Sequence, residues 1–464
     1  MTSGTSVEPR EGLRGKRSGH LADVAAVVLA AGLVGAATTV GLAYNRPGAG
    51  VVIYAYAPPL FGDWLPHVGP GTPFAIVLAA AVVLWGPALA ARLPWRRLLL
   101  LGYATTVGWT MALVMVDGWV RGFTTRIATD NEYLHEVPNI PDIPEMLRSF
   151  SSRILEGAPH FWTTHVAGHP PGATLVFVWL DRIGLGGGAW AAAACVVVGS
   201  LVAVAVPATL ALLGRPDAAR AVLPFAVLLP GAVWIGASAD GLFAGVTATG
   251  IALLALSVAA FTHGRRSAPL AAVAGGLVLG FGIFLSYGLV LLGLVAVAVL
   301  IAGRQWRTAL IAAAAALLVV GAFAVAGFWW LDGYHLLVQR YYQGIAHLRP
   351  YSYWVWADLA AFAIACGPAV VAALRRTVTG AVRTRPVRTL LHDPVVLLVF
   401  AAALAVLLAD VSGMSKAEVE RIWLPFGVWL LPATALLRPG SRRWWLAAQA
   451  GTALLVNHLV LTGW

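Results

Sequence analysis

The chain has 464 residues, of which 59% are hydrophobic and only 11% are charged. A soluble domain carries about 25% charged residues, so the composition excludes a soluble globular protein and indicates a polytopic helical membrane protein. The net charge of +11 would suggest nucleic-acid binding in a soluble protein, but here it is explained by basic cytoplasmic loops, and no nucleic-acid partner is predicted. Cys195 and Cys366 both lie in apolar runs, so the sequence implies neither a disulfide framework nor a thiolate metal site.

The first twenty residues are polar and basic, and we expect residues 1–20 to form a disordered cytoplasmic tail. The apolar run Leu21–Tyr44 is longer than the roughly 7–15-residue core of a cleavable signal peptide, so it should remain as a membrane anchor. Windows of about 20 apolar residues predict about thirteen spans. These are Leu21–Tyr44, Phe74–Leu93, Leu98–Val116, Ala189–Leu213, Ala219–Ile235, Gly241–Thr262, Ala268–Leu285, Gly288–Ala302, Ala309–Trp330, Trp356–Leu374, Pro394–Leu408, Ile422–Leu437 and Trp444–Leu461.

The basic residues predict the orientation of these spans. With the N-terminus in the cytoplasm, about two thirds of the 31 basic residues fall in cytoplasmic segments, as the positive-inside rule requires. This arrangement holds only if the apolar piece Ala173–Leu185 does not cross the membrane. That piece is too short for a span and carries Asp181 and Arg182 near its end, so we expect an interfacial or re-entrant helix on the outer face.

One long polar segment, Ala128–Gly172, then lies outside the membrane. It opens with Asp130 and Glu132, and it ends with His165, His169 and a Pro-Pro pair. A loop of this length is usually functional or disordered, and its aromatic and proline content favours order. We interpret it as the catalytic or binding surface. Acids near the membrane surface can act as a general base when an apolar wall tunes their pKa, although solvated surface acids are the simpler alternative.

The order of these motifs resembles the GT-C class of membrane glycosyltransferases, especially the protein O-mannosyltransferases and the lipid A aminoarabinose transferases. In that class an acidic pair opens the first large outer loop, and a Pro-Pro motif leads into a half-buried helix. The resemblance covers roughly Val116 to Leu437. It rests on Asp130-Asn131-Glu132-Tyr133, Trp162, His169-Pro170-Pro171-Gly172, Ser238-Ala239-Asp240, Gly282 to Tyr287, and Glu420-Arg421 to Pro425.

The chain departs from the family pattern in four places. Its acidic loop follows the third span, which makes residues 21–97 an added N-terminal membrane hairpin. Asn131 separates the acids, so either could be the base. Gly172 follows the Pro-Pro pair where relatives usually carry a large apolar residue, and Tyr287 stands where many relatives have a lysine. The sugar and the acceptor therefore stay undetermined.

The resemblance implies an all-α polytopic bundle that transfers a sugar, with inversion, from a polyprenyl-phosphate donor to a glycan, lipid or protein acceptor on the extracytoplasmic side of the cell membrane. It divides the chain into the tail 1–20, the hairpin 21–97, a GT-C-like core 98–437 with the outer catalytic loop 117–187, and a C-terminal span 438–464. A lipid-linked donor also makes physical sense, because the isoprenoid can enter between spans.

Nine residues are candidates for the site. Asp130 or Glu132 would be the base. Asp240 would either join the active site or cap a helix, and Arg421 would bind the lipid phosphate or form a local salt bridge. The others are expected to bind substrate; they are His165, His169, Tyr287, Arg340 and Arg349.

A metal site would need His160, His165 and His169 together. Their spacing is compatible with a metal, but no cysteine or fixed carboxylate completes a recognised signature. We therefore predict no metal and no cofactor, while leaving room for a divalent cation. The alternative function is a lipid or small-molecule transporter or flippase, which would require polar residues in mid-span that this chain nearly lacks. A catalytically inactive scaffold is a third hypothesis.

Overall fold

The computed structural model describes residues 11–383, 390 and 392–463. This part of the chain is almost entirely helical. Its α-helices are α1 Glu11–Tyr44, α2 Thr72–Arg92, α3 Trp95–Val114, α4 Tyr133–Glu136, α5 Ile143–Ser149, α6 Thr164–Gly168, α7 Pro171–Arg182, α8 Gly188–Gly199, α9 Val202–Leu212, α10 Pro216–Val227, α11 Ala239–Thr262, α12 Ala268–Gly282, α13 Gly293–Gly303, α14 Trp306–Val325, α15 Trp330–Gln343, α16 Tyr351–Cys366, α17 Pro368–Arg383, α18 Pro394–Val411, α19 Val419–Ile422, α20 Leu424–Gly427 and α21 Arg442–Leu459.

Two short strands join distant parts of the chain. Strand β1, Gly62–Trp64, pairs antiparallel with β2, Val460–Thr462. Short 3-10 helices link the α-helices, and two of them, Tyr287–Leu292 and Val428–Leu436, extend apolar helical segments. The predicted all-α class is therefore confirmed, with β1 and β2 as a small tie.

Seven helices among the described residues are long and apolar enough to cross a membrane, and an eighth span results if the bent pair α16–α17 counts as one. Three shorter apolar helices, Ala268–Gly282, Tyr287–Gly303 and Leu424–Leu436, coincide with predicted spans. The multi-pass membrane class is thus confirmed. The count of about thirteen spans stays a prediction.

The segment Trp356–Leu374, which is predicted as one span, is not a single continuous helix in the structure. Helices α16 and α17 meet at an angle of 108°. Gly367 between them has φ of +82°, a left-handed conformation that favours glycine, and the next residue is Pro368, which has no N–H to continue the helix. The chain therefore turns sharply in the middle of an apolar run that hydropathy alone reads as continuous.

Helix α1 begins at Glu11, within the predicted tail 1–20, and the prediction for residues 1–10 lies outside the described part of the chain. Helix α1 packs against α16 and α17, and α2 packs against α3, α10 and α21. Asp23 of α1 is fully buried and pairs with Arg376 at 2.5 Å and with Arg375 at 2.6 Å. The first two helices are therefore built into the bundle.

Helix α7 contains most of the segment Ala173–Leu185, which the charge distribution predicts not to cross the membrane. Its 12 residues extend only about 18 Å, short of the roughly 30 Å of hydrocarbon in a bilayer. The helix begins at the Pro-Pro pair, because Pro171 fits the first turn, where its missing N–H needs no partner. A Cβ on Gly172 would lie 2.5 Å from the Phe284 carbonyl oxygen, which explains why a large residue cannot follow the prolines here.

Helix α11 lies at the centre of the bundle and contacts α8, α9, α12, α13 and α20. The Ser238 Oγ accepts a hydrogen bond from the Asp240 N–H at 3.2 Å, so Ser238 caps the helix. The capping role that the sequence allowed for Asp240 belongs to Ser238, and the Asp240 carboxylate is left for another partner.

Candidate active site

A cavity of about 890 Å³ lies where the long polar segment Ala128–Gly172 meets α15 and the segment between α18 and α19. Six of the nine predicted site residues line this cavity, five with a charged or imidazole side chain and Tyr287 with its aromatic ring. These six are His165, His169, Tyr287, Arg340, Arg349 and Arg421. Asp130, Glu132 and Asp240 do not line it, although Glu132 and Asp240 touch residues that do.

Glu132 is bonded to His165 at the cavity wall. Its Oε1 lies 2.8 Å from the His165 Nδ1, and only 5% of Glu132 is exposed. The backbone supports the same contact, because the His165 N–H donates to the Asn131 carbonyl at 3.0 Å. A buried carboxylate thus holds the ring of a histidine that lines the cavity.

Asp130 has a different environment. Its side chain is fully exposed, and its carboxylate is 3.8 Å from the Nδ1 of His135, which is itself half exposed. The structure therefore separates the two acids that the sequence left equivalent: Glu132 belongs to the cavity wall and Asp130 faces outward.

His169 is fixed by its own chain and by aromatic rings. Its Nδ1 is 2.8 Å from the His165 carbonyl oxygen, which can only accept, so Nδ1 carries the proton. The Tyr133 and Phe243 rings have their centroids 5.7 Å from the His169 ring. Burial lowers the pKa of His169 to about 4, although the Asp240 charge opposes the change. His169 is therefore a neutral imidazole that presents a lone pair at Nε2.

Asp240 and Arg421 form a buried ion pair at the base of the site. Arg421 Nη1 donates to Asp240 at 2.5 Å, and Nη2 donates to Glu418 at 2.6 Å. Burial disfavours the guanidinium charge, but the two carboxylates more than compensate and raise the pKa of Arg421. Burial likewise opposes ionisation of Glu418, yet the charges of Arg421 and Arg349 hold its pKa below the usual range. Arg421 is thus matched by two acids.

Glu418 sits in a strained turn. Ala417 and Glu418 have φ of 70° and 65°, conformations that non-glycine residues rarely adopt. The turn is held from several sides. The Tyr341 hydroxyl accepts from the Lys416 N–H at 2.9 Å, and Arg349 Nη1 donates to the Lys416 carbonyl at 2.7 Å. Backbone strain supported by surrounding contacts is typical of functional sites.

The two other predicted cations, Arg349 and Arg340, differ in how many of their hydrogen-bond donors already have a partner in the protein. Arg349 is buried and donates to the Ile53 carbonyl at 3.2 Å, to Lys416 and to Glu418, so it braces the wall. Arg340 pairs with the half-exposed Glu156 at 2.6 Å.

The Tyr287 ring packs against Trp330 and Tyr334, with ring centroids 5.2 and 5.9 Å away.

Sequence reasoning missed Lys416. Its Nζ donates to the Ala346 carbonyl at 3.0 Å and lies 5.2 Å from the centre of the Tyr342 ring, and it lines the cavity. Burial and the nearby Arg349 charge lower the pKa of Lys416. The sequence does contain a feature that singles out this residue: almost all of the 31 basic residues are arginine, and Lys416 is the sole lysine after Lys16.

The segment before α2 also reaches the site, which sequence reasoning missed. Phe61 lines the cavity, and its N–H donates to the Glu420 Oε1 at 2.9 Å. Glu420 is fully buried, and burial raises its pKa to about 7.

Within the part of the chain that the structure describes, no group of three or more His, Cys, Asp or Glu side chains could hold a metal ion. His160, the third histidine considered for metal, has φ of 53° and is exposed, while His165 and His169 have ring centroids 6.3 Å apart.

No known protein family and no curated protein matches the chain. Its structure is similar to that of ArnT from Cupriavidus metallidurans bound to undecaprenyl phosphate, with 18% identity and a TM-score of 0.44 over 72% of this chain and 59% of ArnT. It is also similar to the Archaeoglobus fulgidus oligosaccharyltransferase in complex with Zn and sulfate, with 13% identity and a TM-score of 0.43 over 78% of this chain and 53% of that protein. The chain thus spans between about half and six tenths of these solved proteins.

Proposed function

We propose that this protein transfers a sugar from a polyprenyl-phosphate donor to an acceptor on the extracytoplasmic side of the membrane. The observation that carries the proposal is one cavity with three chemically different walls: a histidine wall, a cationic wall and an apolar wall. Its volume of about 890 Å³ lies in the range of about 300–1,000 Å³ that small-molecule sites occupy. A phosphate-linked sugar with an apolar chain needs each of these walls.

The cationic wall suits the donor phosphate. Lys416 is the best-placed ligand, because an ammonium group has three donors and the Ala346 carbonyl takes one. Arg340 lines the same cavity and could exchange its contact with the exposed Glu156 for the phosphate. Arg421 is less suited than the sequence indicated, because Asp240 and Glu418 already match its charge.

The apolar wall suits the isoprenoid. It includes Leu289, Val290 and Leu291, and Leu408 at the end of α18. Val290 is 51% exposed and Leu408 is 46% exposed, so this side of the cavity reaches the outer surface of the bundle. A long lipid could therefore remain in the bilayer while its phosphate enters the cavity.

The histidine wall suits the acceptor. In the proposed reaction an acceptor hydroxyl loses its proton to the Glu132–His165 side, and its oxygen attacks the anomeric carbon with inversion. The bond between that carbon and the phosphate oxygen breaks, and polyprenyl phosphate leaves with the electron pair. Electrostatic stabilisation of such a leaving group is normally a large part of catalysis, and Lys416 would provide it.

The test uses purified protein in liposomes with a panel of radiolabelled polyprenyl-phosphate sugars and a bacterial envelope extract as acceptor. We expect one donor to lose its label to a product while polyprenyl phosphate accumulates. Liposomes with the Lys416→Met variant provide the matched control. Movement of intact donor across the bilayer without product would instead support the transporter, and no change with any donor would contradict the proposal.

A further inference from the structure

We propose that His165 is the general base of this reaction and that Glu132 acts through it as a positioning residue. The inference rests on the proposed function. It differs from the sequence prediction, in which a loop carboxylate takes the proton itself. Three observations carry it: the position of each acid relative to the cavity, the Glu132–His165 hydrogen bond, and the contrast with His169.

Neither acid is placed to meet an acceptor directly. Asp130 points into solvent and does not line the cavity. Glu132 is 95% buried behind His165 and does not line the cavity either, whereas His165 does. A hydroxyl group inside the cavity therefore meets the imidazole before it can reach either carboxylate.

The hydrogen bond sets the chemistry of the ring. The Glu132 carboxylate accepts from Nδ1 at 2.8 Å, so the proton of the neutral imidazole sits on Nδ1 and the lone pair on Nε2. When Nε2 takes the acceptor's proton, the new imidazolium is stabilised by the Glu132 charge and by Glu418, which interacts with His165 electrostatically. This division of roles, with a carboxylate orienting a histidine that moves the proton, is the general logic of activated nucleophiles.

His169 provides an internal comparison. It also lines the cavity and also has its proton on Nδ1, but its partner there is a backbone carbonyl. Among the residues that the structure describes, no carboxylate is hydrogen-bonded to its ring, and burial lowers its pKa to about 4 even though the Asp240 charge opposes the change. Of the two histidines on this wall, His165 is the one whose ring is hydrogen-bonded to a carboxylate, so it is the better placed to carry a transient positive charge.

The proton and electron balance is complete. The acceptor O–H bond breaks as its proton moves to His165 Nε2, the acceptor oxygen forms a bond to the anomeric carbon, and the phosphate oxygen leaves with the bonding pair. The imidazolium then returns its proton to water when products depart. No oxidant, reductant or metal is required.

The experiment measures transfer with the donor that gives product in the panel. We expect His165→Gln to lower kcat by about 10²–10⁴-fold, the usual loss of general-base help. Glu132→Gln should lower kcat by about tenfold or more with the donor KM unchanged, and Glu132→Asp should recover part of that loss. The double variant should be no slower than His165→Gln, because the two residues act as one unit. His135→Gln, an exposed histidine in the same loop, is the matched control and should match the wild type.

A second measurement separates catalysis from structure. Imidazole added to His165→Ala should restore part of the transfer, whereas it should not restore Glu132→Gln, which keeps its ring. Binding of undecaprenyl phosphate checks that each variant is folded. If the His165 variants do not fold, the Glu132 variants still test the inference. Transfer by His165→Gln within threefold of the wild type would overturn the inference while the proposed function stands. An inactive wild type would instead overturn the proposed function.

Discussion

Arg421 donates a 2.5 Å hydrogen bond to Asp240, a residue 181 positions earlier in the chain, and both side chains are almost fully buried. The same guanidinium bonds Glu418 in the strained turn. This pair therefore joins the first turn of α11 to the segment that carries Lys416. It gives Arg421 a structural role that the sequence offered only as an alternative to phosphate binding.

Removing Arg421 should destabilise the protein. Arg421→Ala leaves two buried carboxylates without their cation, and breaking a buried pair in this way typically costs about 3–5 kcal/mol. The measurement is thermal unfolding in detergent. Arg148→Ala is the control, because its partner Glu145 is 65% exposed and such surface pairs contribute about 0–1 kcal/mol. Equal unfolding midpoints for the two variants would contradict the structural role.

Asp130 and Glu132, at the start of the segment Ala128–Gly172, should behave differently. Asp130→Asn should leave transfer close to the wild-type rate, because the Asp130 side chain is fully exposed and does not line the cavity. Glu132→Gln should lower it strongly for the reason given above. The measurement is kcat for both variants in the liposome assay. A loss with Asp130→Asn as large as with Glu132→Gln would mean that the loop rearranges when substrate binds.

Lys416 should set the affinity for the donor. Lys416→Met removes a charge-assisted hydrogen bond of about 1.5–3 kcal/mol, so the donor KM should rise by about tenfold to a hundredfold. Lys416→Arg keeps the charge and should retain most of the affinity. Arg265→Met, an exposed arginine in the loop between α11 and α12, is the control for loss of positive charge. An unchanged KM in Lys416→Met would mean that another cation binds the phosphate, and Arg340 would be tested next.

Glu420 should make the fold sensitive to pH. Burial raises its pKa from 4.5 to about 7, so the folded protein favours the protonated form. The stability that this provides is fully present below pH 4.5 and is lost as pH rises through about 7. We expect the unfolding midpoint to fall between about pH 5 and 8 and the slope to lessen in Glu420→Gln. Glu145→Gln, at an exposed site, is the control; parallel profiles for wild type and Glu420→Gln would refute the effect.

The orientation in the membrane can be tested with cysteines at Ser152 and Ser267, both exposed. The two native cysteines are buried, so background labelling by an impermeant thiol reagent should be low. In intact cells we expect labelling at position 152 and protection at 267, because the basic loop containing Arg265 and Arg266 is predicted to be cytoplasmic. The reverse pattern would invert the topology and place the cavity on the cytoplasmic side.

Several features of this protein follow from local sequence. The scarcity of charge and the long apolar runs determine a helical membrane protein, because a bilayer accepts few other structures. The polar stretch with its acids and histidines stands out against those runs, which is why most of the predicted binding residues do line one cavity. The start of α7 is local too, since Pro171 fits only the first turn of a helix.

The tertiary structure decided which of these residues work together. Glu132 and Asp130 are equivalent by composition, and only packing places one behind His165 and the other in solvent. Three features of the site depend on how the helices pack: the Asp240–Arg421 pair, the position of Lys416 and the contact of Phe61 with Glu420. Because many of these helices are apolar on all sides, the periodicity of the sequence does not predict which helix faces contact each other. Hydropathy did not predict the bend at Gly367 either. A hydropathy value is an average over a window of residues, whereas the bend depends on the φ of a single residue.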